Sequence, residues 1–181
     1  MLLEMKLHLG CGSKFLEGYI HVDVKKYSHV DYVSSIDKLY FLDDESVEEI
    51  YACHVLEHVG RNEYKNVLKE WRRVLKIGGI LRIAVPDFEA AVEWYSVHKN
   101  IKEVTGLTSG GQRDQWDYHK VIFDFDLLRY DLIELGFDDI NRYDWRDFLP
   151  EGFDDYSRSY LPHMDFDNGK LMSLNITAVK R

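Results

Sequence analysis

The chain has 181 residues, of which 45% are hydrophobic and 14% aromatic, and this predicts one globular domain over residues 1–181. It carries 23 basic and 32 acidic side chains, and the net charge of -9 argues against a surface that grips nucleic acid phosphates. No run of about 18 apolar residues is present to span a membrane, and residues 1–6 lack the features of a signal peptide. The two cysteines are too few for a disulfide framework. We therefore expect a reduced, cytoplasmic protein.

The first half of the chain alternates short apolar strands with one amphipathic helix. The strands predicted in this half are residues 6–9, 19–24, 47–53 and 80–85. Between residues 62 and 76 apolar side chains recur at three- and four-residue spacing, which predicts a helix. Gly78-Gly79 is predicted to supply the left-handed stop just past it.

The second half continues the alternation and adds two irregular insertions. Helices are predicted over residues 88–98 and 125–135, and strands over 137–143 and 171–180. Residues 101–119 are weakly periodic and glycine-containing, so we expect a long loop, and residues 150–169 form the second insertion. The pattern predicts a doubly wound, mostly parallel, seven-stranded Rossmann-like α/β sheet with one antiparallel strand near the C-terminus.

A glycine turn follows the first predicted strand and a carboxylate ends the second. Gly10-Cys11-Gly12 allows a ligand to approach the backbone, and Asp23 is placed to accept hydrogen bonds from ribose hydroxyls. The pair indicates a nucleotide-type ligand, although glycine pairs also serve in plain turns. The dinucleotide fingerprint is not met, because Phe15 stands at its third glycine and Asp23 follows Gly12 by eleven residues instead of roughly 20. This disfavours a nicotinamide dehydrogenase and predicts a very short first crossover helix, or a loop in its place.

Three segments together resemble class I S-adenosylmethionine-dependent methyltransferases of the type 11 branch. They are residues 7–12 (LHLGCG), 51–58 (YACHVLEH) and 73–87 (RVLKIGGILRIAVPD). They occur in the order and spacing of that family, and the chain is most similar to small methyltransferases linked with glycan or cell-envelope modification. The resemblance implies S-adenosylmethionine as cofactor and S-adenosylhomocysteine as product.

The family pattern, carried onto this sequence, implies a cofactor site formed by Gly10, Cys11, Gly12, Asp23, Ser35, Ile36 and His54. The glycine turn would wrap the methionine moiety and the Asp23 carboxylate would hold the ribose. Ser35 and Ile36 would flank the adenine, and His54 would lie near the methionine end. Ser35 departs from the aspartate that is frequent at its position.

His119 is the residue expected to act on the acceptor. In the resembling branch a Tyr-x-His or Asp-x-His stretch faces the acceptor, and here Asp117-Tyr118-His119 follows the glycine-containing insertion. An imidazole, with an ordinary pKa near 6.5, suits removal of a proton from an attacking hydroxyl. The alternative is a structural histidine that ties the loop to the sheet.

A metal ion is not expected. Cys11 and Cys53 could join His54 and His58, which would share one helix face at four-residue spacing. The resemblance, however, already accounts for both of these regions, and no further ligands are evident from spacing.

The resulting hypothesis is methyl transfer from S-adenosylmethionine to a small-molecule or glycan acceptor. Both insertions are expected to build the acceptor pocket, in place of the residues before the first strand. Residues 138–169 carry nine carboxylates against three arginines, which favours a neutral or cationic acceptor. The alternative is a catalytically silent protein or partner subunit that only binds the cofactor. No nucleic acid partner is expected.

Overall fold

A seven-stranded sheet forms the centre of the structure, a computed structural model that describes residues 5–181. Its strands are β1 (Lys6–Leu9), β2 (Ile20–Asp23), β3 (Tyr32–Val33), β4 (Val47–Cys53), β5 (Leu75–Pro86), β6 (Phe137–Arg142) and β9 (Ser173–Lys180). They lie in the order β3-β2-β1-β4-β5-β9-β6, with β9 antiparallel to both neighbours and the other pairings parallel. This confirms the predicted fold class. Residues 1–4 lie outside the described residues. They make up most of residues 1–6, the segment in which the sequence shows no features of a signal peptide.

The described residues also form four α-helices: α1 (Tyr64–Val74), α2 (Phe88–His98), α3 (Ile101–Ser109) and α4 (Phe125–Glu134). The predicted apolar spacing of α1 places Trp71 and Leu68 in the main core, fully buried against the sheet. The side chains of Asp87 and Asp124 cap α2 and α4 by accepting hydrogen bonds from backbone N–H groups of the first turn. None of the described helices is long and apolar enough to cross a bilayer.

Two local predictions were wrong. Residues 101–109, expected in a loop, form α3, which packs against α2 and is held to it by a hydrogen bond of 2.6 Å from Trp94 to Glu103. The Gly78-Gly79 pair does not end α1, because the helix already stops at Val74 and the glycines lie within β5, Gly78 with φ of +78°. In both places tertiary pairing overrides the local signal.

The connection from β1 to β2 is a loop, as the short spacing to Asp23 predicts. Over residues 10–19, all of them described, the chain makes turns and no helix. A second apolar cluster lies here, formed by Leu16, Tyr51 and Leu149 with residues such as Phe148 and Phe153 packed on it. The segment around residue 149 therefore shares a core with the loop between the first two strands.

Residues 150–169 contain a 3₁₀ turn (Tyr156–Arg158) and a two-stranded hairpin of β7 (Tyr160–Leu161) and β8 (Lys170–Leu171). The predicted last strand from residue 171 is therefore divided between β8 and β9. Because β1, β2, β4 and β5 are parallel, their carboxyl ends meet at one edge of the sheet, where α/β folds bind ligands.

Candidate active site

The turn after β1 uses its two glycines differently. Both have positive φ, +63° at Gly10 and +55° at Gly12, a region that side chains rarely adopt. A Cβ added at Gly10 would lie 2.4 Å from Cγ2 of Val55, whereas one added at Gly12 would meet nothing within 4 Å. Gly10 is thus required for packing, and Gly12 leaves its backbone open to a ligand.

Asp23, at the end of β2, holds this turn in place. One carboxylate oxygen accepts the Gly12 N–H at 2.7 Å and the other accepts the Lys25 N–H at 2.7 Å. Each oxygen keeps a further lone pair that a ribose hydroxyl could use. The side chain is buried and does not line the cleft described next, so the ribose contact stays a prediction.

A cleft of about 690 Å³ opens beside the glycine turn. Its volume lies in the range of cofactor and drug-sized pockets, roughly 300–1,000 Å³. Gly10, Cys11, Gly12 and His54 of the predicted cofactor residues line it. Further lining residues, which no sequence pattern singled out for the cofactor, include Ser13, Lys14, Lys25, Tyr27, Asp155 and Tyr156. The open backbone at Gly12, the lysines and the carboxylate fit a zwitterionic amino acid joined to a nucleoside.

The side chains of three predicted cofactor residues are not suited to bind a ligand in this cleft, because of their position or their chemistry. Ile36 packs in the main core, and its carbonyl accepts the Trp71 indole N–H at 2.9 Å. Ser35 does not line either cleft described here. Burial raises the pKa of the Cys11 thiol to about 12, so the thiol is neutral and only the backbone of this residue is suited to the ligand.

The 3₁₀ turn Leu56–His58 follows β4 and is preceded by His54 with φ of +50°. The two histidines therefore do not share a helix face, contrary to the sequence expectation. Nε2 of His54 lies 3.0 Å from the Ser173 hydroxyl. Burial lowers the pKa of His54 to about 3, so its imidazole is neutral at physiological pH.

A second cleft of about 480 Å³ adjoins the first. The two clefts share six lining residues, namely His54, Arg113, Asp117, Tyr156, Ser159 and His163. Most of its lining residues belong to the two insertions, including Leu107, Asp117 and His119 from one and Tyr160 from the other. Arg113 donates to Asp117 at 2.6 Å and lowers the pKa of that carboxyl to about 2, so this pair is internally neutralised.

His119 lies in the wall of the second cleft. Its Nδ1 is 2.9 Å from the Leu107 carbonyl, and because a carbonyl only accepts, Nδ1 carries the proton and Nε2 keeps the lone pair. Nε2 is 3.9 Å from Oε1 of Glu57. Burial lowers the pKa of His119, so the neutral form with its lone pair is favoured. The structural role is also present, since the bond to Leu107 ties the loop to α3.

Glu57, which no residue pattern singled out, lies beneath His119. Its side chain is fully buried, and neither carboxylate oxygen has a hydrogen-bond partner in the structure. Burial raises the pKa of Glu57 to about 8. The sequence hints at this only in that Glu57 lies between His54 and His58.

A family model for the methyltransferase domain, of the type 11 family, matches residues 7–83. Together with the sheet order and the cleft at the glycine turn, the match supports a class I S-adenosylmethionine-dependent methyltransferase with S-adenosylmethionine as its methyl donor.

Solved structures share the fold at low identity. A SAM-dependent methyltransferase from Archaeoglobus fulgidus is 17% identical, with a TM-score of 0.59 over 99% of this chain and 87% of the other. A possible histamine N-methyltransferase from Thermotoga maritima is 17% identical, with a TM-score of 0.60 over 98% and 82%. The 1,6-didemethyltoxoflavin-N1-methyltransferase of Burkholderia thailandensis, solved with its substrate and S-adenosylhomocysteine, is 15% identical, with a TM-score of 0.55 over 97% and 70%. No curated protein matches the chain.

Proposed function

We propose that the chain transfers the methyl group of S-adenosylmethionine to a hydroxyl oxygen of a small polar molecule or glycan. The observation that carries the proposal is the junction of the two clefts at His54 and Tyr156. The first cleft would hold the cofactor and the second the acceptor, so that a reacting oxygen could approach the donor where the two meet. Positioning of this kind supplies most of the catalysis, because the sulfonium already activates the methyl group.

The proposed cofactor contacts follow the resemblance and the geometry. The backbone of Gly10, Cys11 and Gly12 would hold the methionine moiety, with His54 at its far end. Asp23 would accept hydrogen bonds from the ribose through its remaining lone pairs.

The adenine would lie beside Ser35 and Ile36. Because the Ile36 side chain packs in the core, any contact from that residue would use its backbone.

The acceptor side of the site suits an uncharged hydroxyl compound. Asp117 is paired with Arg113, the two buried histidines His54 and His119 are neutral, and Tyr160 supplies a ring and a hydroxyl.

In the transfer the C–S bond of the donor breaks with its electron pair left on sulfur, and the acceptor oxygen forms the new C–O bond. We propose that the acceptor proton passes to Nε2 of His119, the nitrogen that keeps a lone pair.

The free thiols Cys11 and Cys53 support a reducing, cytoplasmic location.

Titration calorimetry with S-adenosylhomocysteine and with NAD⁺ tests the cofactor cleft. We expect S-adenosylhomocysteine to bind and NAD⁺ not to bind. Tight binding of NAD⁺ with no response to S-adenosylhomocysteine would overturn the proposal.

Incubation of the protein and S-adenosylmethionine with a panel of hydroxyl compounds, read by mass spectrometry for a gain of one methyl group, tests the acceptor. With an acceptor in hand, His119→Ala should lower kcat by about 10²–10⁴ and leave the affinity for S-adenosylhomocysteine unchanged. An unchanged kcat would remove His119 from the reaction. Cofactor binding without transfer to any compound would favour the silent binding protein.

A further inference from the structure

Three side chains in and behind the wall of the second cleft offer ligand atoms to one point. Glu57, His58 and His119 each contribute one nitrogen or oxygen, and these atoms lie within 4.8 Å of one another. The imidazole rings of His58 and His119 meet edge to face with centroids 4.9 Å apart. The residues come from two separate segments, the 3₁₀ turn after β4 and the end of the insertion that contains α3.

The Glu57 carboxylate is the strongest indication that something is bound at this point. It is fully buried, and no group in the structure donates a hydrogen bond to either of its oxygens. Burying a carboxylate without donors is costly, so buried carboxylates in proteins are paired, hydrogen-bonded or bound to a metal. The groups that its Oε1 faces are the ring nitrogens of His54 and His119, at 3.4 Å and 3.9 Å.

Both histidines of the cluster are oriented by backbone carbonyls. Nδ1 of His58 lies 3.1 Å from the Tyr118 carbonyl, and Nδ1 of His119 lies 2.9 Å from the Leu107 carbonyl. Each Nδ1 therefore donates, and Nε2 is left as the nitrogen with a free lone pair. A metal-binding histidine typically has this arrangement, with one nitrogen held by a carbonyl or carboxylate and the other free to coordinate.

We propose that Glu57, His58 and His119 bind a divalent transition-metal cation such as Zn²⁺, Fe²⁺ or Co²⁺. Two imidazoles and one carboxylate suit these ions better than Mg²⁺ or Ca²⁺, which prefer oxygen ligands. In a tetrahedral site, ligand distances of about 2.0–2.2 Å place two ligand atoms about 3.3–3.6 Å apart. The pair of ligand atoms that lies farthest apart in the cluster would therefore close by at most about 1.5 Å when the ion binds. The inference departs from the sequence expectation of no metal, because the ligands assemble only in the fold.

The site would serve the reaction, and this part rests on the proposed function. His58 and His119 line the second cleft, so positions of the cation not taken by protein would face the proposed acceptor. A divalent cation lowers the pKa of a hydroxyl that it binds. With the cation bound, Nε2 of His119 would be a ligand and the acceptor proton would leave to water. Nε2 would accept that proton, as proposed above, only in protein without the cation.

The test is a metal titration of the whole chain without any methyl donor or acceptor. Protein freed of metal with a chelator is titrated with Co²⁺ by visible absorption and with Zn²⁺ by calorimetry. We expect one bound ion per chain, and His58→Ala and His119→Ala should each weaken binding by at least 10–100-fold. His163→Ala is the matched control, because His163 lines the same cleft outside the cluster, and it should bind like the unchanged protein.

Glu57→Gln covers the case in which the alanine variants lose their fold. It keeps the size of the side chain and removes the buried charge, so in chelator it should remain folded. It should nevertheless lose the rise in melting temperature that Zn²⁺ produces in the unchanged protein. No binding of either ion, or binding by the His119→Ala and Glu57→Gln variants as tight as that of the unchanged protein, would overturn the inference and leave Glu57 as a neutral buried acid. Calorimetry with S-adenosylhomocysteine on the same chelated protein separates this outcome from failure of the proposed function.

Discussion

The two clefts meet at His54 but are built in different ways. The cofactor cleft begins at a turn of three residues that follows β1, where two glycines with positive φ set the backbone path, and side chains of both insertions complete its lining. The acceptor cleft is assembled from side chains of the turn after β4, of residues 101–119 and of residues 150–169. A backbone cradle depends on a few local φ angles, whereas a side-chain wall depends on how distant segments pack. A single added methyl group should therefore disturb the glycine turn of the cofactor cleft. The wall of the acceptor cleft should be disturbed by the loss of one long-range contact.

The largest effect is expected at the local turn. Gly10→Ala should lower the free energy of unfolding by about 2–4 kcal/mol, since it adds a left-handed alanine and a clash with Val55. Gly12→Ala is the matched control, because it has the same backbone strain in open space and should lose only about 1–2 kcal/mol. Urea unfolding measures both, and the comparison fails if the two variants are equally stable.

Asp23 sharpens the cofactor side of the comparison. Asp23→Ala should weaken S-adenosylhomocysteine binding by roughly 1–3 kcal/mol, because hydroxyl partners would be left unpaired. The variant also removes the acceptor of the Gly12 N–H, so a ribose-specific readout is needed. Calorimetry with the 2′-deoxy and 3′-deoxy analogues supplies it. Loss of a hydroxyl should cost affinity in the unchanged protein and little in Asp23→Ala. Equal losses in both would show that Asp23 only holds the turn.

The smallest effect on the free energy of unfolding is expected for an exposed ion pair between the end of β2 and the first insertion. Lys25 and Asp114 of the insertion both line the cofactor cleft and contact each other at 2.5 Å, and both side chains are 43% exposed. A double-mutant cycle with Lys25→Ala and Asp114→Ala should give a coupling of about 0.2–1 kcal/mol that shrinks in high salt. Arg113 and Asp117 offer an internal pair of the same insertion for comparison. A coupling of zero at low salt would show that the ion pair between Lys25 and Asp114 does not contribute to stability.

The same contrast explains what the sequence could predict. The sequence predicts helix α1 correctly because its apolar side chains recur at helical spacing and are buried, and it reveals the glycine turn because the residue types of that turn are local. Helix α3 was missed because Thr105, Gly106 and Thr108 weaken helix propensity, while packing on α2 stabilises it.

Glu57 could not have been found in this way. Its significance comes from burial beside His119, a contact between residues far apart in the chain. The lining residues of the cofactor cleft beyond the turn cannot be predicted for the same reason. Lys25 and Asp155, for example, come to line one cleft only when the chain is folded.

The position of β9 in the sheet has a consequence for the order of folding during synthesis. Among the strands of residues 5–181, β9 is made last, yet it lies between β5 and β6 and is the one sheet neighbour of β6 within this range. Until residues 173–180 emerge, β6 has no strand to pair with and the long strand β5 keeps one edge open. An open edge of this kind is a template for pairing with another chain. A growing chain of this protein is thus most exposed to aggregation just before its last strand closes the sheet.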